Sequence, residues 1–82
     1  MSDREIITMD ELSAWLTRVV EKHEDCEGTT VSIKYKLDEL DLDGCNWSED
    51  VVCNLGENAD KHIVTDLVGN AVREARKKFN LT

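Results

Sequence analysis

The sequence predicts an α+β fold: a two-layer α-β-β-α domain in which an antiparallel hairpin is covered by two helices. Three observations predict it. A capping box opens an apolar stripe of helical period near the N-terminus. A run of two-residue alternation begins at Thr29. A second and longer helical stripe fills the C-terminal third.

The first helix is predicted over about 9–23. In Thr8-Met-Asp-Glu11 the Thr8 hydroxyl can accept from the Glu11 amide while the Glu11 carboxylate reaches back to the Thr8 amide. Ile7 and Leu12 have the spacing of a hydrophobic staple across that cap. Leu12, Trp15, Leu16, Val19 and Val20 recur on one face. Arg18, Lys22 and His23 complement the negative end of the helix. Glu24 to Gly28 form the exit turn, where Gly28 supplies backbone freedom.

A strand is predicted over about 29–37. Val31, Ile33, Tyr35 and Leu37 face one way, and Thr30, Ser32, Lys34 and Lys36 the other. A second strand covers about 49–55, with Val51, Cys53 and Leu55 on its apolar face. Gly56-Glu57-Asn58 ends it, and Asn58 or Asp60 caps the next helix. That helix covers about 59–79 through Ile63, Val64, Leu67, Val68, Ala71, Val72, Ala75 and Phe79. Arg73, Arg76, Lys77 and Lys78 sit toward its carbonyl end. Two strands make a marginal sheet. The expectation is therefore a homodimer, with the sheet completed across a two-fold axis or with the helices packed there.

The connection between the strands, 38–48, is the most unusual stretch. From Leu37 to Asp50 there are six carboxylates and no lysine or arginine, together with Gly44, Cys45 and Trp47. Glu39, Asp41 and Asp43 are spaced two apart before Gly44, and Asp50 is twelfth counting from Glu39. This echoes a calcium loop, in which alternating oxygens and a glycine turn wrap a hard cation. It departs from that pattern at its first, eighth and twelfth positions and in its strand-like flanks. Leu40 and Leu42 alternatively continue the strand alternation, turning the acids to solvent as a guard on the sheet edge.

Cys45, Asn46, Trp47 and Ser48 form the candidate binding segment. Asn and Ser favour turns. Trp47 either folds back as a lid on the core, with its indole N–H partnered, or stands out as an aromatic anchor for another protein. His23, Cys26, Cys45 and Cys53 match a zinc site in number but not in spacing. Cys53 is read as a buried small hydrophobe and Cys45 as the exposed thiol, its reactivity reduced by the neighbouring Asp43 and Glu49. His62 and Asp66, four apart, read as a solvated helical pair. No phosphate loop, nucleophile elbow or zincin helix is present, so an enzyme is not expected.

Composition narrows the function classes. Eighty-two residues suit one domain spanning 1–82. The formal net charge of -8 repels phosphate backbones and anionic membrane surfaces. The chain start lacks a leader pattern and no apolar run approaches a membrane span, so the cytoplasm is the expected location. Three cysteines suit reduced thiols there. The helix–strand–strand–helix order loosely resembles several small two-layer folds, double-stranded RNA-binding modules among them. The net acidity, and the absence of their basic helix start, set RNA binding aside. The reading is a small cytosolic, non-enzymatic protein–protein interaction or adaptor module that self-associates, with an unknown protein partner and no cofactor. Its first alternative is a calcium-like divalent-cation protein using Glu39, Asp41, Asp43 and Asp50. Its second is an acidic nucleic-acid mimic.

Overall fold

The two ends of the chain meet. In the computed structural model, which describes residues 4–42 and 44–82, a short strand β1 (Glu5–Ile7) pairs in parallel with β4 (Phe79–Leu81). Their register is Glu5 with Phe79, Ile6 with Asn80 and Ile7 with Leu81. Between them run α1 (Met9–Glu21), a 3-10 turn (Glu24–Cys26), β2 (Thr30–Ile33), β3 (Val51–Asn54) and α2 (Lys61–Lys78). The result is an α+β fold with two separate two-stranded pairs, β1–β4 and β2–β3.

The caps form as the residues dictate. The Glu11 amide donates to the Thr8 hydroxyl at 3.1 Å, and the Thr8 amide to the Glu11 carboxylate at 3.2 Å. Asp60 caps α2 by accepting from the His62 and Ile63 amides. α1 stops at Glu21, short of the predicted His23. There the His23 ring accepts from the Asp25 amide and starts the 3-10 turn instead. The chain then turns at Gly28 with φ of +81°, a left-handed conformation that favours glycine. Gly56 passes so close to this turn that a side-chain carbon on it would collide with the Glu27 carbonyl.

β2 and β3 pair antiparallel, Thr30 with Asn54 through Ile33 with Val51. Beyond Ile33 the ladder breaks, and the next pair is Lys36 with Trp47. Two residues separate these pairs on one strand and three on the other. The extra residue is a bulge, which shifts the register and re-aims the side chains. The predicted alternation therefore holds for Val31 and Ile33, which are buried, and fails for Tyr35, which is 46% exposed.

The core gathers Leu12, Leu16 and Val20 of α1, Val31 and Ile33 of β2, and Val64, Val68, Val72 and Ala75 of α2. Phe79 and Leu81 of β4 join it, with Trp15 packed edge-on against Phe79 at 5.3 Å between ring centroids. α1 packs against both β2 and α2. Neither helix closes over β3: Val52 is 45% and Leu55 47% exposed. The helices pack on the apolar face of the hairpin chiefly through β2, while β3 borders an open groove.

Candidate functional site

The Cys-Asn-Trp segment turns inward. Trp47 is fully buried, and its indole N–H donates to the Phe79 carbonyl at 3.0 Å. The Asn46 side chain takes both main-chain groups of Leu81, donating to its carbonyl and accepting from its amide, each at 2.7 Å. It thus serves β4 as a one-residue strand partner. Cys45 is fully buried, and its thiol points to the Trp47 carbonyl. The Ser48 hydroxyl accepts from the Asp50 amide at 3.1 Å, a local turn. The lid reading of Trp47 holds. A recognition surface with Trp47 as its exposed anchor does not fit, because Cys45, Asn46 and Trp47 are engaged with the chain's own interior.

The acidic connection is fastened to the same place. The Asp41 carboxylate accepts from the Cys45 amide and, through its other oxygen, from the Arg76 guanidinium. Arg76 also donates to the Trp47 carbonyl and stacks over its ring, 5.7 Å from the centroid. Burial acts to lower the Arg76 pKa. The Asp41 hydrogen bond and the charges of Cys45, Asp41 and Glu49 outweigh it, and the guanidinium is held above its ordinary value. Gly44 closes the loop with φ of +79°. Leu40 and Leu42 stand exposed instead of continuing the strand.

Of the four expected cation ligands, Glu39 and Asp50 are exposed, Asp41 is engaged by Arg76, and Asp43 lies outside the described residues. Among the described residues no three His, Cys, Asp or Glu side chains gather as a metal site, and this includes His23, Cys26, Cys45 and Cys53. The two cysteine assignments are reversed. Cys45 is the buried thiol and Cys53 the exposed one, because β3 is uncovered while the Cys45 loop is latched to the core. Cys53, though exposed, is partly desolvated by its surroundings, which raises its thiol pKa. For Cys26, burial and then the nearby Asp25 and Asp60 do the same. His62 and Asp66 are both solvent-facing on α2.

One concavity was missed by sequence reasoning. It is a groove of about 750 Å³ between β3 and α2. One wall is Val51 to Cys53 and Leu55, and the other is Val64, Val68, Gly69 and Val72. Lys61 stands on its rim, with Glu49, Asp50, Lys34 and Arg73 also lining it. Adjoining it, Arg4, Arg73, Arg76, Lys77 and Glu49 line a smaller hollow of about 320 Å³. A weak signal was present in the sequence: Val52 and Leu55 add apolar surface beyond what a two-stranded hairpin can bury.

The two edges of this hairpin differ. On β2, the Thr17 hydroxyl of α1 donates to the Val31 carbonyl and accepts from the Val31 amide, at 3.0 and 2.9 Å. The Ser13 hydroxyl accepts from the Ile33 amide at 3.0 Å. That edge is sealed by side chains. In an antiparallel pair, residues opposite each other either exchange both hydrogen bonds or both turn away. Val31 and Ile33 turn toward α1, so their opposites Cys53 and Val51 turn their main-chain groups away from β2, along the groove side. Among the described residues no strand pairs with that edge.

Comparison with family models, curated proteins and solved structures returned no match.

Proposed function

We propose that this chain is a small non-enzymatic interaction module that self-associates through the β3 edge and its groove. The observation that carries the reading is the asymmetry of the hairpin: one edge is sealed by Ser13 and Thr17, the other is open beside an apolar wall. An unpaired strand edge offers main-chain donors and acceptors to an incoming strand, and the adjoining apolar wall adds side-chain affinity. Two exposed apolar side chains, Val52 and Leu55, lie on that strand or at its end. The reading moves the interaction surface away from Trp47 and keeps the self-association that a two-stranded sheet invites.

Three free thiols support a reducing location, the cytosol. Among the described residues no helix is long and apolar enough to cross a membrane. Sedimentation equilibrium over micromolar to millimolar concentration tests the reading. The expected result is a mass rising from that of one 9.3 kDa chain toward two. A single-chain mass throughout would overturn it.

A further inference from the structure

We infer that the occupant of the β3 edge is the β3 strand of a second copy, paired antiparallel with Val52 on the two-fold axis, so that Glu49 and Asp50 of each copy lie beside Lys61 of the other. This rests on the self-association proposed above and specifies its surface and register.

Each copy has one open hairpin edge, because Ser13 and Thr17 seal the other. A symmetric β3–β3 pair consumes both open edges at once and leaves a four-stranded sheet with sealed flanks. A foreign strand laid on β3 would leave its own outer edge open.

Only the main-chain groups of Val51 and Cys53 turn outward within β3, so the new ladder must join odd-numbered residues. With Val52 on the axis, Val51 exchanges hydrogen bonds with Cys53 of the second copy, and Cys53 with Val51. Val52 then meets Val52 on the outer face, where each is exposed in the single copy. Centring the axis on Cys53 instead would set Glu49 opposite Glu57, a like-charge pair.

β3 and α2 run antiparallel along the groove. Leu55 and Lys61 flank the turn that leads from β3 into α2 and both line the groove, whereas Glu49 and Arg73 share the far end, where they also line the smaller hollow. The Val52 axis places Glu49 opposite Leu55 of the second copy, at the end of the groove that Lys61 of that copy lines. Within one chain the six-residue span from Glu49 to Leu55 separates Glu49 from the Lys61 end of the groove by roughly 20 Å. This exceeds the screening length of about 8 Å in physiological salt. Gly69 leaves the helix wall clear for the incoming strand, since a side-chain carbon there would meet nothing within 4 Å.

A charge swap tests the register, with sedimentation equilibrium as the readout and circular dichroism as the check on folding. All three sites are exposed. Glu49→Lys and Lys61→Glu should each weaken dimerisation by roughly tenfold, since each places like charges together twice across the axis. The double variant should return to within about threefold of the parent, because the pair is restored only between copies. Val52→Lys should abolish the dimer by setting two cations together on the axis. Dimerisation of the parent with none of these effects would overturn the β3 register and leave self-association standing. A monomeric parent would overturn both and leave the groove to a foreign strand.

Discussion

Trp47 is the residue on which the two ends of the chain depend. Its ring fills the core, its indole N–H holds the Phe79 carbonyl, and its own carbonyl receives Arg76. Replacing it by phenylalanine removes that donor from a buried carbonyl and leaves a void beside Phe79. Trp47→Phe should therefore lower stability by about 2–3 kcal/mol in urea unfolding. It should leave dimerisation per folded chain unchanged, because the indole does not reach the β3 edge. The presence of a Trp in an acidic connection was legible as a sign that something packs there. What it packs against was not. The partner is the Phe79 carbonyl, thirty-two residues away, and the pairing of β1 with β4 that presents this carbonyl leaves no periodic trace in three-residue strands. The same limit inverted the two cysteines. Alternation assigned Cys53 to a buried face, but burial requires a covering element, and no spacing rule reveals that α2 stands off from β3.

Elements with internal signals were read well, and elements defined by distant partners were not. The capping box, the Asp60 cap and the apolar stripes of α1 and α2 are local, so their residues announce them. The hairpin was legible in type but not in extent, because the bulge between the Ile33 and Lys36 pairs changes the register without a glycine or proline to mark it. Polar residues on the core-side of α1 carry their own meaning. Ser13 and Thr17 sit among apolar neighbours because they serve as an artificial strand edge for β2. Thr17→Val keeps the shape and removes the hydroxyl. It leaves the amide and carbonyl of buried Val31 without that partner and should cost about 1–3 kcal/mol of stability, measured by urea unfolding. Thr17→Ser, which keeps the hydroxyl, should lose much less.

At the scale of the molecule, the architecture divides into a latched end and an open side. The latched end joins β1, β4, the Asp41–Trp47 loop and the C-terminal turn of α2 through Asn46, Trp47 and Arg76. Most of the conspicuous chemistry of the sequence is there, and it holds the chain together. The open side is β3 with its groove, built from ordinary valines, a leucine and a helical glycine. A net charge of -8 made nucleic acid an unpromising partner, and the groove carries Lys34, Lys61 and Arg73 alongside Glu49 and Asp50. The central claim is that the open β3 edge becomes paired when copies meet. Amide hydrogen exchange at Val51 and Cys53, followed by NMR at low and high protein concentration, tests it most directly. These two amides should exchange freely when dilute and become protected as concentration rises, while that of Val52, already facing β2, changes little. Exchange at Val51 and Cys53 that is independent of concentration, in a sample sedimenting as a dimer, would contradict the account.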